Sequence, residues 1–246
     1  VTDLENLVPP HEPAEDFFVF AGKAALNLVP VVGPLAAETL AHALETRQAE
    51  RQHEFNIAIA KSLTDAIVRL DGTATIEDVV GSDDFIAAVT RAQRAAAETA
   101  SQQKRQRLAA AVANGGSWAP FSISEREQFT RLVGEFDELH IWLLHYFTDP
   151  AAWLQSRGLY DQHSNIMMGG ISSPLGSALG VEERVWRSAV TQAIADIERA
   201  GLGAVPLTTT MGVDGIFAPR TSEKGRRFLA FINEPDSLAA EPPASL

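Results

Sequence analysis

Residues 174–232, PLGSALGVEERVWRSAVTQAIADIERAGLGAVPLTTTMGVDGIFAPRTSEKGRRFLAFI, constrain this chain more than any other stretch. Pro174 opens a short helix, PLGSAL, and Gly180 supplies the turn behind it, because a residue without Cβ turns the backbone at no steric cost. Val181-Glu182-Glu183 starts a longer helix running to Ala200. Val185, Ala189, Ala193, Ile194 and Ile197 recur along it at helical spacing as its apolar stripe. Gly201 stands just past its end. Two short strands are expected next, LTTT at 207–210 and IFAP at 216–219, with MGVDG between them as the tip of a β-hairpin. Thr221 is placed to cap a terminal helix whose Phe228, Leu229 and Ile232 face inward.

Upstream of this stretch the signal is helical almost throughout. Residues 1–13 are a proline-bearing lead-in without period, and 14–28 are helix-like. Pro30 and Pro34 bracket a turn, Pro34 suiting the first position of the next helix. That helix repeats Leu40, Leu44, Phe55, Ile59, Leu63, Ile67 and Leu70 at three- and four-residue spacing, and Asp71-Gly72 ends it. Thr75 and Asp78 resemble a small capping box before IEDVV. Ser82 caps a helix over about 83–100, with Phe85, Ile86 and Val89 facing the core. The next helix runs from about Gln102, turns Leu108 and Val112 inward, and closes at Asn114-Gly115-Gly116.

Residues 1–116 therefore form an antiparallel helical bundle, and GGSWAPFSIS at 115–124 is the internal boundary. Ser124 and Glu127 make a capping box for a helix over about 125–147, which Asp149-Pro150 interrupts. Residues 158–173 are Gly-rich and aperiodic, so an exposed loop is expected there. The expected division is a bundle domain at 1–116, a second domain at 121–235 and a flexible tail at 236–246.

The order of elements over 137–232 resembles the winged helix-turn-helix superfamily. RTSEKGRRFLAFI is similar to bacterial regulator domains whose wing is followed by a T-x-x-G-x-x-F-L helix. The resemblance implies a mainly α protein: an N-terminal helical bundle plus a C-terminal winged helix with a small two-stranded β-hairpin. In that superfamily the helix after the turn enters the major groove and the wing meets phosphates. Carried onto this sequence, the reading positions include Glu182, Glu183, Arg184 and Arg187, while Arg220, Lys224, Arg226 and Arg227 supply wing-side charge.

Charge decides between uses of such a scaffold. Thirty-two acidic side chains against twenty basic give a net −12, and 121–235 hold fourteen acidic and ten basic, a local −4. A protein that grips nucleic acid needs local positive potential, because released counterions drive the binding. Glu182 and Glu183 are repelled by phosphates, and in the groove only a cytosine amino group welcomes them. The leading expectation is a non-enzymatic regulatory or scaffold protein, whose winged helix and long helices bind a protein partner or a second copy. The second is a dimeric DNA-binding transcriptional regulator. A third, a membrane-active helical effector, rests on residues 17–44, whose only Lys, Arg, Asp or Glu are Lys23 and Glu38. Each arm of that hairpin is shorter than the roughly 20 apolar residues that span a bilayer.

Catalytic motifs are missing. The absence of cysteine excludes disulfides, thiolate metal sites and Cys nucleophiles. His140 and His145 lie five apart, not at the i,i+4 spacing of a helical metal pair, although Asp137 and His140 can share a face. His42 and His53 share a face but lie too far apart along it for one ion. Neither a Gly-rich phosphate loop nor a G-x-S-x-G elbow occurs, and HSNIMMGGISS holds Ser, His and Asn without triad geometry. Trp118, Trp142, Trp153 and Trp186 are expected in or beside the core. No enzyme activity, cofactor, metal or small-molecule substrate is expected. The start of the chain has no secretory-type leader pattern, so a cytoplasmic setting is expected.

Overall fold

The computed structural model describes residues 34–69, 79–165, 167–234 and 238–243, with side chains of the first segment from 45 to 68. The apolar arms read at 17–44 have no described side chain, and the Thr75/Asp78 capping box lies outside the described residues. Among the described residues the protein is mainly helical, with eleven helices and one two-stranded antiparallel sheet. It divides into two units, Val1–Thr130 and Arg131–Leu246, and the division falls inside a helix beyond the 115–124 segment.

The first unit is built on α1 (Pro34–Arg69), α2 (Asp83–Glu98) and α3 (Gln102–Asn114), with the first half of α4 (Ile123–Glu135). Phe55, Ile59, Leu63 and Ala66 form the buried stripe of α1. Ser82 caps α2 by accepting from the Phe85 N–H at 3.2 Å, as its sequence position suggests. What α2 buries differs from expectation. Ala88, Ala92 and Ala96, four apart, form the buried row, while Ile86 is 55% exposed and Phe85 packs half-buried against Trp118. A row of alanines lets a neighbouring backbone approach closely, which turns the larger Ile86 outward.

Helix α3 is buried on every side from Arg107 to Asn114. Small side chains at Ala109, Ala110, Ala111 and Ala113 make that possible without voids. Arg105 is buried at its start and donates to the Thr99 and Ala100 carbonyls at 3.4 Å. The Trp118 indole N–H closes the other end by donating to the Ala113 carbonyl at 2.8 Å. The capping box ahead of α4 uses Ser122 and Glu125 rather than Ser124 and Glu127. The Ser122 N–H donates to the Glu125 carboxylate at 2.8 Å, and the Glu125 N–H returns to Ser122 Oγ at 3.3 Å.

The second unit contains α5 (Glu138–Tyr146), α6 (Pro150–Ser156), α7 (Asp161–Ser164), β1 (Met168–Gly169) and α8 (Ser172–Leu179). It continues with α9 (Glu183–Arg199), β2 (Met211–Gly212), α10 (Val213–Ile216) and α11 (Glu223–Phe231). The helix expected to run unbroken over 125–147 is two helices. Asp137 stops it by accepting from the Leu139 and His140 N–H groups at 3.0 and 3.2 Å, which caps a fresh start. Asp149 repeats the device for α6, with Pro150 at its first position.

Every residue of α5 from Ile141 to Tyr146 is buried. Trp142 stacks on Tyr146, and Trp153 of α6 meets both edge-on, with ring centroids 5.4–5.7 Å apart. The Tyr146 hydroxyl is buried without a hydrogen-bond partner, and burial pushes its pKa far up. An unpaired buried hydroxyl costs more than it returns. Tyr146→Phe is therefore expected to raise stability by about 1 kcal/mol, read as a higher urea midpoint at unchanged slope.

The expected hairpin is absent from 207–210 and 216–219. The loop between α9 and α11 closes at its base through an antiparallel bridge between Gly203 and Thr221. Within it, turn hydrogen bonds from the Leu207 and Thr209 N–H groups take up 205–209. MGVDG is not a hairpin tip: its first two residues are β2, and the rest belongs to α10. The strand partner of β2 is β1, in register Met168↔Gly212 and Gly169↔Met211. The region 158–173 is accordingly not a plain exposed loop, since it holds α7, β1 and the start of α8 and buries His163 and Ile171. The described part of the tail, 238–243, is also not free, because Trp153 and Arg157 bond to it.

Candidate interaction surface

Helices α8 and α9 are joined by a short turn that begins at Gly180. Gly180 adopts φ 68, and its N–H donates to the Gly176 carbonyl at 3.0 Å, ending α8 with a left-handed residue. Trp186, Val190, Ala193, Ile194 and Ile197 are the buried stripe of α9. The expected stripe began on the wrong row: Val185 is 48% exposed and Ala189 half-buried. Rotating the stripe to Trp186 leaves Val181, Arg184, Val185, Ser188, Thr191 and Gln192 on the outside.

The outward cations are already engaged. Arg184 pairs with Glu182 at 2.6 Å, and Arg187 pairs with Glu183 one turn before it. Arg226 pairs with Glu223 at 2.8 Å and also reaches the Thr221 carbonyl. Lys224 donates to the Ala200 carbonyl at 3.2 Å, where a cation meets the negative end of α9. Arg220 turns into its own loop, donating to the Gly215 carbonyl and contacting the Met211 sulfur at 3.2 Å. Burial of that guanidinium lowers its pKa. Arg227 is half-buried on α11. The six candidate cations are thus spread over α9, the loop and α11. Asp214 and Arg220 are the only Asp, Glu, Lys or Arg in the loop 203–221.

Opposite the outer face, α9 is tied to α5 by a histidine between two carboxylates. His140 Nδ1 lies 2.6 Å from Asp137, Nε2 lies 3.6 Å from Asp196, and the ring stacks on Phe136 with centroids 4.5 Å apart. Asp196 is further held by Gln192 and Arg199, and these hydrogen bonds lower its pKa. The hydrogen bond from His140 lowers the Asp137 carboxyl from 3.8 to about 2. A depressed acid stabilises the fold above its unfolded value and loses that contribution as pH falls through its folded value. Asp137→Asn can still cap α5, so it isolates the charge. It is expected to flatten the loss of stability between about pH 4 and pH 2 in an acid titration followed by circular dichroism.

His163, on α7, is bracketed by two hydroxyls of α8, Ser177 at 2.9 Å and Ser173 at 3.4 Å, and burial lowers its pKa. A neutral imidazole between two hydroxyls joins the two helices. His145 is engaged by Glu234 at 2.9 Å and is 2% exposed. No group of three or more His, Asp or Glu side chains is placed to hold a metal ion among the described residues. Among the same residues, no helix is long and apolar enough to cross a membrane.

The expected stripe included Val185 and left out Trp186, the larger apolar side chain beside it. No protein-family model, no curated protein and no solved structure matches the chain.

Proposed function

We propose that the second unit is a non-enzymatic interaction module whose α9 outer face holds a protein partner or a second copy of the chain. The supporting observation is the charge-balanced face itself. Glu182 and Glu183 neutralise Arg184 and Arg187, while Val181 and Val185 stand 40% and 48% exposed beside them. Exposed valines gain by burial against another apolar surface, whereas a face of paired charges offers a polyanion few phosphate contacts. Val185→Glu places a third carboxylate on this face. It is expected to abolish concentration-dependent association in sedimentation velocity, or capture of the partner, with stability changed by less than about 0.5 kcal/mol. Association unchanged by the substitution removes this reading.

A second reading, dimeric DNA-binding regulator, draws on the exposed row Arg184, Ser188, Thr191 and Gln192 along α9. Side chains of these types read base edges when a helix lies in the major groove. It requires affinity that falls steeply with salt and weakens in Arg184→Ala. A flat titration against genomic fragments at low salt eliminates it.

A further inference from the structure

The chain's own tail occupies a recognition corner on α6, away from the α9 face and independent of its use. Arg157 lies over the Trp153 ring, its guanidinium carbon 3.8 Å from the ring centroid. From there the two ends of the guanidinium fork bind different atoms of the tail. Nη1 donates to the Leu238 carbonyl at 2.9 Å. Nη2 donates to the Ala240 carbonyl at 3.0 Å and to the Glu241 carboxylate at 2.8 Å. The Trp153 indole N–H donates to the same Ala240 carbonyl at 3.0 Å, so both lone pairs of that oxygen are used. Ser156 Oγ, 2.9 Å from Nη1, steadies the guanidinium from its other side.

This geometry selects its ligand first by the placing of its acceptors. The fork takes the carbonyls of Leu238 and Ala240, two residues apart across a bend of the chain at Leu238 and Ala239. The carboxylate of the next residue adds a charge-assisted bond, which selects for an acidic side chain there. Side chains at the first three positions contribute little: Leu238 and Ala239 are exposed and Ala240 is half-buried. Pro242 and Pro243 follow the glutamate and favour an extended backbone beyond it, because proline fixes φ and offers no N–H for competing structure. Arginine is required at the centre, since a lysine ammonium cannot stack on the indole and present a planar fork at once.

We propose that Trp153 and Arg157 form a binding site for a short acidic peptide, and that residues 238–241 are its resident ligand, bound in cis. The tail is thereby an exchangeable peptide in a site that accepts the same segment supplied in trans. Its tether sets an effective concentration of order millimolar, which a competing peptide must exceed.

The cysteine-free sequence allows one clean probe. The full chain carrying Ala239→Cys, labelled with a small fluorophore that tryptophan quenches on contact, reports the tail against Trp153. Arg157→Ala in that background is expected to raise the fluorescence severalfold, Arg157→Lys to give an intermediate rise, and the milder Glu241→Gln a smaller one. Synthetic Leu-Ala-Ala-Glu-Pro-Pro at tens of millimolar is expected to raise the signal of the otherwise unchanged chain saturably. The Gln counterpart of that peptide should need severalfold more. Fluorescence unchanged by Arg157→Ala in a chain with native circular dichroism overturns the assignment of the site. Fluorescence unmoved by the acidic peptide, or moved equally by its Gln counterpart, overturns its recognition of an acidic ligand. Val185→Glu is expected to leave every one of these signals unaltered, so failure here and failure of the α9 reading are told apart.

Discussion

Gly225→Ala is expected to cost the second unit about 3 kcal/mol or more, read as a large drop in denaturant midpoint. A Cβ at this position would lie 2.2 Å from the Leu202 carbonyl oxygen and 2.7 Å from Thr221 Cγ2. The first of these is backbone, and that oxygen already accepts the Ser222 N–H at 2.8 Å. Relief requires α11 to back away from Leu202, which pulls apart the Gly203–Thr221 bridge and the base of the whole loop. Alanine's better helix propensity, about 1 kcal/mol over glycine, is too small to offset this. The contrasting substitution is Gly134→Ala in α4, where a Cβ meets nothing within 4 Å. That change is expected to stabilise by about 0.5–1 kcal/mol. Gly225→Ala within 1 kcal/mol of the parent chain would show that α11 does not sit this tightly on Leu202.

The same contacts give Thr221, Ser222, Gly225, Phe228 and Leu229 separate physical roles. Thr221 does not cap α11; Ser222 does, accepting the Gly225 N–H at 3.0 Å. Thr221 is buried, and its hydroxyl donates to the Leu144 carbonyl on α5 at 2.6 Å. Its N–H and that of Arg220 both donate to the Phe147 carbonyl. Glycine admits the Leu202 carbonyl, and Phe228 and Leu229 fill the core at 0% and 4% exposure. Hydroxyl, gap and apolar pair are thus three separate requirements of one docking geometry.

What sequence made legible here was local. Ser82 and Asp149-Pro150 begin helices through side-chain caps and proline geometry, Gly180 and Gly201 end them through positive φ, and all four fall at the expected places. Choices between near-equivalent local signals were not settled that way. Ser122 and Ser124 each precede a glutamate by three residues, and which one caps α4 depends on burying Phe129, Leu132 and Val133. The sheet was out of reach for a different reason. A two-residue ladder shows no alternation, and the threonines at 208–210 have strand propensity while the pairing falls on Met211 and Gly212 with a distant segment. The surface followed the same rule. Arg187 and Arg226 are visible in the sequence as cations, but their pairing with Glu183 and Glu223 removes much of the charge that a groove-facing reading assigns them.

Trp186→Ala is expected to cost about 3–5 kcal/mol, the range for emptying a buried aromatic site. Trp186 is 1% exposed, and its indole N–H has no hydrogen-bond partner, so the loss is one of packing alone. Trp186→Phe, which keeps an aromatic body, is expected to lose less. The space involved is shared with α8. A Cβ on Gly176 would lie 3.4 Å from the indole nitrogen and 3.6 Å from Cζ2, in van der Waals contact, so Gly176 marks where α8 meets the tryptophan. Gly176→Leu alone overfills this contact and should destabilise. In the Trp186→Ala background it enters the vacated volume and should restore part of the loss, giving a coupling energy that offsets the two single effects. Additive losses in that cycle would mean that α8 and α9 do not meet at this pair. The cycle also bears on use of the outer face. Trp186→Ala loosens the helix that presents Val181 and Val185, so it should weaken association in step with lost stability. Val185→Glu, one residue away on the opposite row, should weaken association with stability intact. Only a helix whose inner row sets the fold and whose outer row meets a partner separates the two effects in this way.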